Sequence, residues 1–171
     1  MTTTEFQLST ALIAELKHEG ATTRKMLALV PTDKLTYKPH EKSMILENLA
    51  KHLAEIPTWT SVILNQDELD FAKPYPKTPS FTTSAELLAM YDKNLAEAIK
   101  VLEIVKEEEF FRNWTMRHGE QIFFTMPKAA VIRSWVFNHS VHHRAQLGVY
   151  LRLLNIALPS SYGPTADDTK M

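Results

Sequence analysis

Four stretches of the chain repeat apolar residues at steps of three and four, the period at which a helix buries one face, and proline-marked connections separate them. In residues 6–30 the repeating positions include Leu12, Leu16, Leu27 and Val30, and Pro31 ends the run. Ser43 is placed to cap a second helix over 44–65. Residues 67–80 carry Pro74, Pro76 and Pro79, which argues against helix or central strand and predicts a long surface connection that can wall a pocket. A third helix begins near Ser84, keeps Leu88, Tyr91, Leu95, Ile99 and Leu102 in step, and ends in a charged run at 106–109 that reads as solvated. Residues 114–117 and 121–124 flank His118-Gly119, where glycine supplies the positive φ of a tight turn, so a short extended hairpin or turn is predicted there. Pro127 suits the first turn of a last helix that runs to Leu154 and stops near Asn155. The tail, 160–171, reads as loosely ordered. The predicted class is all-α, a single-domain four-helix bundle over residues 1–171 with that short excursion before its last helix.

A chain of 171 residues is long enough for one substantial core. Lys plus Arg (19) nearly cancels Asp plus Glu (20), so the basic footprint of a nucleic-acid binder is missing and no nucleic-acid partner is expected. Apolar runs stop well short of the ~18 residues a membrane span needs, and the N-terminus has neither a basic nor an apolar region. The expectation is a soluble, cytoplasmic protein with no membrane partner. There is no cysteine, so a metal bound here would be held by nitrogen and oxygen alone.

Histidine supplies the nitrogen. The inward series of the second helix is Ile45, Leu49, His52, Ile56, Trp59 and Ile63, so one imidazole stands where a core residue is expected. The last helix aligns Ile132, Trp135, Val136, His139, His143, Leu147, Tyr150 and Leu154. His139 and His143 are therefore about one turn apart, a spacing that lets both rings hold one ion. His142 offers an alternative pairing with His139, but His143 shares its stripe with Leu147 and Tyr150, whereas His142 shares a face with Asn138, Ala145 and Val149 and is read toward solvent or a partner. His18, His40 and His118 are read as surface or turn residues. Taken singly, each inward histidine has an ordinary alternative as a hydrogen-bonded core residue. Three imidazoles suit Zn, Ni, Cu or Fe in the divalent state and leave a position open for water or substrate. An ion there acidifies a bound water or thiol into a nucleophile at neutral pH.

Other polar residues read less sharply. Glu55 follows His52 by one turn and is an optional proton carrier or ligand-orienting group, or else a solvated charge. Asn48 and Gln146 can support ligands or simply bond between helices. Trp59, Trp135 and Tyr150 can line a pocket, though aromatic residues in a stripe usually fill the core. Arg144 and Arg152 read as interhelical ion pairs in preference to anion-binding groups.

The stretch from Glu41 to Trp59 around His52, the stretch from Asn138 to Leu147, and the ending Leu158-Pro-Ser-Ser-Tyr-Gly-Pro-Thr-Ala-Asp-Asp168 together resemble the DinB-like, damage-inducible family of metalloenzymes. His143-Arg-Ala-Gln146 stands where that family usually has His-Arg-Gly-Gln, a change that keeps a small residue. The resemblance implies an up-down-down-up bundle, His52, His139 and His143 as metal ligands, and a homodimer. It also implies thiol chemistry, because characterised branches use low-molecular-weight thiols in S-transfer and isomerisation. The reading it supports is a divalent-metal enzyme, with Zn or Ni as the ion, acting on a small molecule as a thiol S-transferase. The alternatives are a metal-dependent hydrolase and a non-catalytic homodimeric metal-binding stress protein.

Overall fold

The computed structural model describes residues 7–74 and 78–169. The expected helix start at Phe6, the middle of the 67–80 connection with Pro76, and the last two residues of the tail lie outside that range.

Helix α1 (Leu8–Leu27) buries Leu12, Leu16, Met26 and Leu27, as its period requires. The second helical pass is broken where a continuous helix over 44–65 was expected. It consists of α2 (Leu46–Glu55), a 3₁₀ turn at Ile56–Thr58, and α3 (Trp59–Asn65). Pro57 is the cause, since it has no N–H for an i→i−4 bond and its ring crowds the preceding turn. The cap also differs. Ser43 makes no capping bond, and Ile45 takes the cap position in extended conformation. Leu46 N–H donates to the Tyr37 carbonyl at 2.8 Å and Glu47 N–H to the Leu35 carbonyl at 2.9 Å. The preceding loop thus satisfies donors that a side-chain cap would otherwise take.

Helix α4 (Ser84–Ile104) starts at a capping box in which Thr83 and Glu86 each bond the other's backbone. The final pass is made of α5 (Lys128–Ile132), a π-helical turn at Arg133–Asn138, and α6 (His139–Leu153). Asn155, at φ 59°, closes it in the left-handed conformation that a helix C-terminus uses.

Cross-helix contacts fix the directions. Glu107 accepts from Leu8 N–H at one end of α1, and Ser84 donates to the Val30 carbonyl beyond the other, so α4 runs antiparallel to α1. Gly20 lets the two approach: a Cβ there would lie 2.8 Å from Leu95. Ion pairs Glu15–Arg133 and Glu19–Arg144 align the final pass parallel to α1. Contacts of His52 with His139 and of Met44 with Tyr150 set α2 antiparallel to α6.

Three strands correct the all-α assignment. β1 (Glu68–Asp70) pairs parallel with β2 (Asn113–His118), which pairs antiparallel with β3 (Gln121–Pro127), in the order β1-β2-β3. The protein is therefore mixed: four helical passes and a small mixed sheet that buries Trp114, Met116 and Leu69 against them. β1 lies inside the stretch expected to be a surface connection. Three residues are too few to show alternation, and the strand exists because its partner, some 45 positions away, offers a paired edge. Gly119 turns the hairpin at φ 58°. Its N–H donates to the Asp70 carboxylate, which also accepts from Ala72 N–H. These two backbone bonds hold the Asp70 carboxyl below the usual carboxylate range.

Candidate metal centre

His52 reaches the site from α2, whose fully buried face is Leu46, Leu49, Ala50, Leu53 and Ala54. The histidine is half-buried at the margin of that face, not in its middle. His139 opens α6 directly after the π-helical turn, and His143 follows one turn later, buried. The three rings meet. His139 Nε2 lies 3.2 Å from His52 Nε2 and 2.8 Å from His143 Nε2. One ring nitrogen from each falls within 4.8 Å of the others, and no carboxylate joins the group among the described residues. His142 is exposed beside His143, as its face predicted.

The proton positions decide what such a cluster wants. His143 Nδ1 lies 2.8 Å from Gln146 Oε1, an acceptor, so the ring proton sits on Nδ1 and Nε2 presents its lone pair. The Trp135 backbone favours a proton on His139 Nδ1, although that buried atom makes no hydrogen bond of full geometry. With that proton on Nδ1, two lone pairs face each other across 2.8 Å, a repulsion that a cation between them relieves; with the proton on Nε2, His139 donates to His143 instead.

A proton is a poor candidate for that cation. Burial, then the neighbouring His143 and His52, pushes His139 down to about 4. Burial first and His143 second lower His52, and burial lowers His143 against the opposing pull of Gln146. All three rings are neutral at pH 7, the state in which imidazole binds metal. Nitrogens bound tetrahedrally to one ion at about 2.0–2.1 Å stand about 3.4 Å apart, against 3.2 and 2.8 Å for the two pairs that His139 makes, so the cluster is gathered to nearly the spacing of ligands around one divalent ion.

Two depressions reach the cluster. One, of about 430 Å³, is walled by Lys42, Ser43, Met44, His143, Gln146 and Val149. The other lies on the His139 side, against Ser134, Trp135, Asn138 and His142. The cavity at Glu68–Asp70 and Pro74 contains no site histidine, so the 67–80 connection walls a different pocket. Trp59 and Trp135 are half-buried and stacked at 5.5 Å, and the Trp135 edge meets His139.

Several residues do something other than expected. Arg144 is buried and pairs with Glu19 as an interhelical bridge, but it also donates to the Glu19 carbonyl, Thr23 and Tyr162. Arg152 bonds Asp167 in the tail and, among the described residues, no other helix. Asp167 also accepts from Leu158 N–H, and Asp168 from Ser160, so the tail is pinned, not loose, over residues 160–168. Glu55 is half-buried and forms no bond with the three rings. The 106–109 run is not merely solvated. Glu109 accepts from Lys128, a buried ammonium that also meets Asp67 and the Leu64 carbonyl. Lys128 follows Pro127 at a helix start, where a lysine ordinarily stays in water, and nothing in its spacing marks it as buried.

The DinB family model matches residues 1–170. A DinB-like protein from Bacillus subtilis superposes with a TM-score of 0.65 at 19% identity, over 94% of this chain and 99% of that one. A DinB-like protein from Bacillus cereus gives 0.67 at 21% identity, over 90% and 97%. These two likenesses show a shared fold. No curated protein matches the chain.

Proposed function

The chain belongs to the DinB family, and on that premise we propose that it is a divalent-metal-dependent enzyme whose ion is held by His52, His139 and His143. The carrying observation is the convergence of three imidazoles from two helices, with His139 Nε2 3.2 Å from His52 Nε2 and 2.8 Å from His143 Nε2. An all-nitrogen set suits Zn or Ni. When bound, the ion supplies a Lewis acid with room for an incoming thiol or water. The protein does the rest: Gln146 fixes the His143 tautomer, burial keeps the rings neutral, and the cavity beside His143 receives a small molecule.

Thiol S-transfer is favoured over hydrolysis by the absence of a carboxylate in the cluster among the described residues. The ion acidifies water and thiol alike, but free water ionises at about 15.7 and a thiol at about 8.5, so the thiol needs less help from a base to give up its proton. In the reaction proposed, the sulfur forms a new bond to an electrophilic carbon and the leaving group departs. Glu55 stays with the hydrolase reading. A cytoplasmic homodimer belongs to the same proposal, and the exposed Phe71, Ile122 and Phe123 beside the edge strand β3 offer apolar area for a second copy.

The test is metal stoichiometry and turnover together. Zinc- or nickel-loaded protein is expected to bind one ion per chain and to join small thiols to alkyl or aryl halides. His52→Ala, His139→Ala and His143→Ala should each lose the ion and His142→Ala should keep it. Equal retention in all four variants refutes the site. A firmly bound ion that stabilises the fold without supporting turnover of any thiol favours the non-catalytic alternative.

A further inference from the structure

The two depressions at the cluster differ in charge. On the His139 side no Asp, Glu, Lys or Arg lines the wall. On the His143 side Lys42 is the one charged residue, and no Asp or Glu lines the wall. Lys42 has no ion-pair partner among the described residues; its backbone N–H is held by His40, and its ammonium bonds nothing. Ser43 stands next to it, released from capping because Leu35 and Tyr37 satisfy the start of α2, and its hydroxyl likewise makes no hydrogen bond among the described residues. Between these donors and His143 the wall is made of Met44, Leu49, Val149 and Tyr150 with Gln146 among them, and it is open to solvent, with Met44 46% and Val149 57% exposed. An unpaired cation and an unpaired hydroxyl at one end, a hydrocarbon floor, and an imidazole cluster at the other end form a polarised slot. Its chemical complement is a molecule with an anionic head, an apolar body and a group that binds a metal.

We infer that the cavity beside His143 is the subsite for a carboxylate-bearing co-substrate, with Lys42 and Ser43 as the residues that select its anionic end. This rests on the reading of the three histidines as a metal site, and it adds which face the thiol enters from and which charge it carries. The electrostatic contributions add: a bound dication and Lys42 both favour an anion, and no acidic side chain in the wall opposes them. The neutral depression by Trp135 is left for the uncharged partner.

The experiment uses cobalt-loaded protein and a matched pair of probes, 6-mercaptohexanoate and 6-mercapto-1-hexanol, which share length and thiol and differ in the head group. Binding is read from the sulfur-to-cobalt charge-transfer absorption, with metal uptake measured beforehand in every variant. The carboxylate is expected to bind about threefold to fivefold more tightly than the alcohol, a contrast of the size an accessible charge pair gives. Lys42→Ala should abolish that contrast, Lys42→Glu should reverse it, and Ser43→Ala should reduce it. Cobalt uptake should be the same in all three. Added salt should weaken the acid and leave the alcohol unchanged. Equal affinity for both probes in the unmodified protein, or a preference that survives Lys42→Ala, overturns this inference while leaving the metal site standing. A chain that takes up no cobalt overturns both.

Discussion

Proton counting during metal uptake tests the site most directly. At about pH 6, three imidazoles with the ordinary value of 6.5 would hold about 2.3 protons between them, all of which an incoming ion must displace. In this fold His139 sits at about 4, so it holds about 0.01 of a proton at that pH. His52 and His143 are also lowered, which leaves each with less than the ordinary share of about 0.76. Their sum is below about 1.5, and an ionising water on the ion, with a pKa near 7, adds only about 0.1. Calorimetric titration of zinc in buffers of different ionisation enthalpy reads this number as a slope. A release of about 2.3 protons would refute the desolvated cluster and with it the argument that the rings are neutral before the ion arrives. The same shifts give a sign for metal-free stability. Because the folded values lie below the unfolded ones, the unfolded chain binds more protons in between, so stability is full above about pH 6.5 and falls as the pH drops toward 4. The His139 share is about 3 kcal/mol at most, reduced by solvent reaching a half-buried ring.

Gln146→Ala removes the acceptor that fixes the His143 tautomer and should weaken zinc binding about tenfold to a hundredfold with little change in metal-free melting, as read by chelator competition and thermal denaturation. Arg144→Leu breaks a buried pair, but Glu19 keeps the Tyr162 hydroxyl, so the expected loss is about 2–3 kcal/mol, below the full cost of an abandoned buried charge. Denaturant unfolding measures it, and proteolysis of the tail should become faster because the Tyr162 hydroxyl keeps only one of its two partners. Lys128→Met should cost only about 1–2 kcal/mol, because Arg112 still pairs with both Glu109 and Asp67 and methionine keeps the buried stem. A loss above about 4 kcal/mol would mean that the ammonium itself, and not its aliphatic chain, holds the ends of α3 and α5 together.

The helical passes were legible because each buries one stripe, and a stripe leaves a period in the sequence. The three histidines were legible for the same reason: they occupy or border apolar positions in two stripes that face one another. The strand β1 left no such trace. Its three residues sit among prolines, and its pairing with β2 depends on where two distant segments end up. The pinned tail was equally hidden, since Asp167 and Arg152 are ordinary surface types until the chain brings them together. Lys128 is the clearest case: a lysine's default is water, and only three converging oxygens from Leu64, Glu109 and Asp67 make its burial tolerable.

What periodicity misses most consequentially lies beside the site. The 3₁₀ turn at Ile56–Thr58 follows the helix that carries His52, and the π-helical turn at Arg133–Asn138 precedes the one that carries His139. The first winds tighter than an α-helix and the second wider, so each rotates the side chains beyond it relative to a regular continuation. The stacked Trp59 and Trp135 stand at these two irregular turns and tie them together at 5.5 Å. A regular helix through 133–138 would carry one fewer residue per widened turn and swing His139 and His143 around the axis by about 100°, away from His52. The two irregular turns meet at that stack, and the π-helical one is part of what brings His139 and His143 within reach of His52. They belong where sequences often break local rules, at the place whose geometry is set by chemistry and not by packing alone.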